Sequence, residues 1–366
     1  MKPCVIKVQR IYLLLVSSLF IFMFSGCATV GPRSISMGRA DYNEAINRTE
    51  DEQMLLAIVK GRYSETSSLL AVSGVAANFR FKTNAGIDVG YGPSQNYDGN
   101  LVPFTGGMAY EENPTITYAP IVGQKYVRQM MSPIPLDILF MSLRSSISVK
   151  EILTLLVSRV NSLKNPDFLY ASQNDAELPF KRFVVRFEEL HRASILHLVG
   201  DPRQGVAFDI VVENNAPQYH DKVNEFFSLL KLPLPDHGDE DIVIPVYFAI
   251  KTGGTWGMAI TTRSTFDLIE ILTAAIDVPQ EHIEKNLVTI YPPIGLPGQD
   301  VRIISSPEKP KGMPLSVKYR GYWFYIDETD HDTKAFFRAL RTFWSLGIAG
   351  TSDLKSGPVF TIPVSQ

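Results

Sequence analysis

The hydrophobic pattern is plainest at the start of the chain. Residues 11–24 (IYLLLVSSLFIFMF) form an uncharged apolar run of 14 residues behind Lys2, Lys7 and Arg10. A helix that crosses about 30 Å of hydrocarbon needs about 20 residues, so this run is too short to span a bilayer and suits the core of a signal peptide. Residues 28–39 (ATVGPRSISMGR) then mix Gly, Pro and Ser without apolar period. They predict a tether, which fully extended reaches at most about 40 Å. A helix should follow: Thr49 and Glu52 have capping-box spacing, and Leu55, Leu56, Ile58 and Val59 supply an apolar stripe up to Gly61.

From residue 69 the period changes to two. Val75, Ala77, Phe79 and Phe81 alternate with Ala76, Asn78, Arg80 and Lys82, and Ile87, Val89 and Tyr91 alternate with Asp88, Gly90 and Gly92. Between these runs Thr83-Asn84-Ala85-Gly86 reads as a tight turn, so a β-hairpin is predicted. A Gly-, Pro- and Asn-rich stretch, GPSQNYDGNLVPFTGG, follows as a long loop or second hairpin, and residues 114–119 (PTITYA) return as a strand. Short helices are expected over 121–131 and 135–145, separated by Pro133 and Pro135, which break helices. Ser148 and Glu151 form a second capping box, and Ile152, Leu153, Leu156, Val157, Val160 and Leu163 extend its helix to about residue 164.

Beyond residue 178 two strand-like runs are followed by one amphipathic helix, three times over. ILHLVG and VAFDIVV precede YHDKVNEFFSLLKL; IVIPVYFAI and WGMAITT precede STFDLIEILTAAI; LSVKYRG and YWFYIDE precede HDTKAFFRALRTFW. A last strand runs from Val359 to Val364. The fold class expected is α+β, a mainly antiparallel sheet with helices packed on one face, preceded by a helical block and a glycine-rich β-hairpin. By residue number the expected organisation is 1–26 signal peptide, 27–39 tether, 40–170 helical block with the inserted hairpin 69–112, and 178–366 body of β-β-α units.

Two cysteines change this picture. Cys4 lies in the segment that a signal peptidase would remove, leaving Cys27 alone in the mature chain, so no internal disulfide can form. Cys27 ends the small-residue stretch Ser25-Gly26-Cys27-Ala28 directly after the apolar run. That order resembles the lipobox of bacterial lipoproteins, which implies cleavage between Gly26 and Cys27 and a thioether-linked diacylglycerol on Cys27. Two acyl chains, with a third such as palmitate on the amine, bury enough methylenes at about 0.8 kcal/mol each for stable anchoring. Residue 28 is Ala rather than the Asp that retains enteric lipoproteins at the inner membrane. The resemblance therefore implies a lipid-anchored envelope protein, at the periplasmic face of the outer membrane rather than the inner one. Further on, TEDEQMLLAIVKGRYSET, PTITYAPIVGQKYVRQMMSPIPL and KYRGYWFYIDETDHDTKAFFRAL resemble an uncharacterised proteobacterial lipoprotein-like family, which implies one recurring architecture over residues 40–366 and no particular activity.

Charge and motifs narrow the function classes. The formal charge is −3, and the leader holds three cations and no acid, so the mature chain sits near −6. Nothing there forms the basic footprint that nucleic acid requires. G-x-S-x-G, HExxH, CxxC and Walker A motifs do not occur, and GYGPSQ at 90–95 lacks the third glycine of a dinucleotide fingerprint. Asp236, Asp239, Glu240 and Asp241, with His237 among them, offer hard carboxylate ligands without EF-hand spacing, and a solvated loop accounts for them equally. Asp327, Asp330, His331 and Asp332 resemble a metal or acid–base group, with Asp330 and His331 as its candidates, yet they stand where a helix should start and Asp caps free N–H groups. Arg263 is a candidate anion site or a surface charge, and Tyr322 and Trp323 are candidates for a ligand groove or for sheet core.

The first reading is thus a non-enzymatic binding or assembly component, bound to membrane lipid through Cys27, with an envelope protein as partner and no cofactor. The alternative is a subunit of an oligomeric outer-membrane pore, since one face of membrane strands meets lipid and the other a lumen, and several hairpins are needed to close a barrel. A soluble hairpin covering the body is the plainer account of the same segment. An envelope hydrolase at Asp330 and His331 is the third.

Overall fold

A computed structural model describes residues 30–66, 69–87, 104–121, 124–145, 148–170, 178–200, 207–213, 216–235, 240–248, 256–349 and 360–363. The architecture is α+β. By internal contacts the chain divides into residues 1–51 and 52–366, a division that falls within the first helix.

Helix α1 (Val30–Arg62) is 33 residues long. It takes in most of the expected tether, and Pro32 stands in its first turn, where a missing N–H costs nothing. The expected cap at Thr49 is not one. Thr49 sits inside α1, and its Oγ1 donates to the Ile46 carbonyl at 2.9 Å, so no new start is made there.

Strands β1 (Leu69–Ile87) and β2 (Phe104–Ile121) pair antiparallel from Leu69↔Ile121 to Ile87↔Phe104. The register shifts once, between Val72 and Gly74. The tight turn expected at 83–86 is absent, because Thr83, Asn84, Ala85 and Gly86 continue the ladder opposite Met108, Gly107, Gly106 and Thr105. The expected alternation at 89 and 91 lies outside the described residues. Strand β12 (Phe360–Pro363) joins the other side of β2, from Phe360↔Tyr118 to Pro363↔Thr115, so the order is β1-β2-β12.

Helices α2 (Gln124–Met131) and α3 (Leu136–Leu143) flank Pro133 and Pro135 as expected, and Pro135 is the N-cap of α3. Helix α4 (Val149–Leu156) opens on Ser148, whose side chain accepts from the Glu151 N–H. It stops eight residues before the expected end, at Leu156, and the chain continues as strands β3 (Val157–Val160) and β4 (Leu163–Lys164). β-branched Val157 and Val160 favour that switch, and Asn161 adopts φ +50° in the turn between the strands.

The body continues with α5 (Leu178–Arg192), β5 (Leu196–Gly200), β6 (Phe208–Val212) and α6 (His220–Leu230). Strands β7 (Ile242–Phe248) and β8 (Met258–Thr262) and helices α7 (Thr265–Ala274) and α8 (Gln280–Glu284) come next. The six-stranded sheet has the order β4-β3-β8-β7-β6-β5. Phe208, Ile210 and Val212 of β6 and Ile242, Ile244 and Val246 of β7 alternate into the core, which leaves the other face half-open. One pair departs from the antiparallel expectation: β7 and β8 are parallel. Met258 stands beside Val246, so the connection need not retrace the whole of β7.

The third β-β-α unit is separate from that sheet. Strands β9 (Ile304–Ser306), β10 (Ser316–Tyr319) and β11 (Tyr322–Tyr325) form a small sheet of order β10-β11-β9, followed by α9 (His331–Ala349). The β10–β11 turn has φ +46° at Arg320 and +90° at Gly321, the two positive values of a tight hairpin turn. One core runs through these elements, with Phe183, Phe187, Phe226 and Phe227 of α5 and α6 packed ring to ring.

Candidate functional site

Arg263 lies between β8 and α7 and is 1% exposed. Its Nε donates to Asp167 Oδ1 at 2.5 Å, Nη1 to the carbonyls of Thr154, Leu155 and Val157 at 3.0, 2.9 and 3.0 Å, and Nη2 to the Asn165 carbonyl at 2.5 Å. Asn165 adds Nδ2 bonds to the Thr154 and Val157 carbonyls at 2.8 and 2.7 Å. The Arg263 backbone N–H donates to the Leu156 carbonyl at 2.8 Å. These are the carbonyls that a helix leaves orphaned at its C-terminus. Arg263 is therefore not a surface charge: from outside the helix its side chain satisfies the last carbonyls of α4, whose C-cap residue is Val157. Burial lowers its pKa and the Asp167 carboxylate opposes the shift; arginine is not deprotonated in proteins. Next to it Ser264 caps α7 in a full capping box, with its Oγ accepting from the Asp267 N–H at 3.1 Å and Asp267 Oδ2 accepting from the Ser264 N–H at 2.8 Å.

Asp330 caps α9. Its Oδ1 accepts from the Thr333 N–H at 2.9 Å and its Oδ2 from Thr333 Oγ1 at 2.6 Å. Asp327 accepts from the backbone and hydroxyl of Thr329, which hold its carboxyl below the usual range. His331 is exposed on the first turn of α9. Among the described residues no group of three or more His, Cys, Asp or Glu is placed to hold a metal ion. Cys27, Gly26 and Asp236–Asp239 lie outside the described residues.

A second cluster escaped the sequence reading. His282 of α8 is 4% exposed, and its Nδ1 meets the Tyr63 hydroxyl at 2.7 Å. Tyr319 and Tyr322 meet Tyr63 and His282 edge-on, with ring centroids 5.2 Å apart in each case. Arg320 lies over the Tyr63 ring at 5.1 Å and pairs with Glu65 at 2.6 Å. Burial pushes Tyr63 up to about 12 and lowers His282, the latter against the pull of Glu281 and with the push of Lys285 and Arg320. Tyr322 thus faces His282 and bonds Glu281, while Trp323 lies beneath Lys309 and Lys318, whose ammonium groups are 5.0 and 6.0 Å from its ring. The two ring candidates fall on adjacent strand positions and do not converge on one groove. The cluster clamps the residues after α1 to α8 and the β10–β11 hairpin. No local pattern in PQEHIEK marks His282 for it, because Tyr63 is 219 positions away.

An open, mainly apolar cavity of about 470 Å³ is lined by Pro133, Ile134, Pro135, Leu136, Asp137, Ala207 and Phe248. Among the described residues no helix is long and apolar enough to cross a membrane. The longest strands form the β1–β2 ribbon, which has β12 on one side of β2 and, among the described residues, no strand beyond β1. In comparisons with family models, curated proteins and solved structures, the chain matches none.

Proposed function

We propose that the chain is a lipid-anchored protein of the cell envelope, attached through Cys27 at the periplasmic face of the outer membrane, and that it works as a non-enzymatic binding or assembly component. The β1–β2–β12 sheet carries this reading. Its main strands are 19 and 18 residues long, beyond the usual 3–10 for strands in globular proteins. Edges of that length template pairing with another chain, and proteins with no use for such edges shorten or cover them. The chemistry-bearing side chains lend support from the other direction. Arg263 and His282 are each committed to partners that hold separate elements together, and Asp330 is committed to capping α9.

Growth with labelled palmitate tests the anchor. Label should enter the wild-type protein and be absent from Cys27→Ser; an unlabelled wild type, or a labelled variant, overturns the assignment. Cross-linking in intact cells tests the assembly role. Captured neighbours should attach through residues 69–121, and captures confined to residues 178–349 would take the function away from the ribbon.

A further inference from the structure

The open edges of the ribbon are matched in length. β12 covers β2 only from Thr115 to Tyr118, which leaves Phe104–Pro114 without a strand on that side among the described residues. Through the ladder these 11 residues pair with Ala77–Ile87, and β1 is likewise open on its outer side. Eleven residues rise about 37 Å along a strand. At the tilt of about 45° found in membrane barrels they climb about 26 Å, the height of the lipid-facing band.

The chemistry alternates over the same positions. Phe79, Phe81 and Ile87 share one set of register positions with Tyr110, Met108 and Phe104. Asn78, Arg80, Lys82 and Asn84 share the other with Asn113, Glu111 and Thr105, and Arg80 stands directly opposite Glu111. The one acid in the apolar set, Glu112, is opposite Phe79. That is two pairs, or about 7 Å along the strand and about 5 Å in depth, from the β12 end of the band, toward the interface where a charge costs less than at mid-bilayer.

A two-stranded ribbon cannot enter a bilayer alone, because its outer N–H and C=O groups would have no partner. Resting on the envelope reading above, we infer that β1 and β2 are staves of a homo-oligomeric β-barrel in the outer membrane, with the open edge of β1 on one copy paired to the open edge of β2 on the next. The contact is heterologous and antiparallel, and it closes into a ring. Two strands per copy make the strand number even for any number of copies, and eight strands, the smallest such barrel, set a floor of about four copies. Outside the band, β12 widens the sheet where neighbouring ribbons must diverge. The register shift between Val72 and Gly74 falls at that level, where a bulge allows a strand to bend.

Light scattering of the full lipidated protein in detergent should give a mass at least about four times that of one copy. A monomer, dimer or trimer overturns the barrel. In intact outer membranes, a water-soluble maleimide should label Asn78→Cys, Lys82→Cys and Asn84→Cys at least about tenfold faster than Phe79→Cys, Phe81→Cys and Thr83→Cys, since only the first set faces a lumen. Equal labelling of the two sets overturns the proposal even for an oligomer. The two readings fail separately: a palmitate-labelled monomer keeps the anchor and removes the barrel, whereas an unlabelled oligomer with alternating reactivity does the reverse.

Discussion

The guanidinium of Arg263 joins five acceptors that belong to the end of α4 and to the segment just after β4. Its removal strands those carbonyls and the Asp167 carboxylate together, so Arg263→Leu should lower stability by about 3–5 kcal/mol, read as a fall in the urea midpoint. Arg263→Lys should rescue little, because one ammonium cannot reproduce a planar fork with donors on three nitrogens. By contrast, replacing Asp330 and His331 together by Ala removes a helix cap and should cost about 1 kcal/mol, with assembly and localisation unchanged. Loss of function without loss of folding would favour the hydrolase reading. His282 sets a pH dependence. Its folded pKa is lowered, chiefly by burial, so the unfolded chain binds the proton more readily. Stability from this site is complete above about pH 6.5 and is lost as pH falls through the folded value. The urea midpoint should therefore decline from pH 7 to 5 and decline less in His282→Gln; identical slopes would clear the cluster of that role. At this scale the cap at Ser148 was legible, since it acts on an N–H three residues ahead, whereas the same spacing at Thr49 and Glu52 falls inside α1 and caps nothing. Arg263 and His282 were not, since their partners lie 96 and 219 positions away.

Among elements, local pattern located the start of α4 and the end of α1, but not the end of α4 or the start of α1. The apolar spacing that carried α4 to residue 164 on paper is equally good for a strand at Val157 and Val160, and tertiary capture of the last carbonyls decided between them. The reverse happened at Thr83–Gly86. These are turn-forming residue types, yet a ladder partner at every position keeps them extended. The ββα units were visible as patterns, but pairing placed only two of them in the main sheet, and β7 and β8 run parallel. The β10–β11 turn depends on its glycine. Gly321 has φ +90° with nothing within 4 Å of a built Cβ, so Gly321→Ala strains the backbone without a clash. A loss of about 1 kcal/mol is expected, measurable by thermal unfolding.

For the whole molecule, the ribbon and the body make separable demands. Phe81→Arg should block membrane assembly, at about 2–4 kcal/mol per copy in mid-bilayer, while Asn84→Arg on the alternate positions should be accepted. Both variants should keep the wild-type urea midpoint of the body; if the two behave alike in membrane extraction, the faces carry no distinction. The capture of α4 by Arg263 also bears on the order in which the chain can be completed. Thr154, Leu155 and Asn165 emerge from synthesis about a hundred residues ahead of the group that satisfies them. At 5–20 residues per second that gap lasts roughly 5–20 s. During it the middle of the body has no finished end to α4 and no closed sheet, because β8 arrives together with Arg263. On the envelope reading proposed above, such a chain would reach an export channel with the middle of its body still incomplete, since Arg263 comes only after nearly three-quarters of the residues.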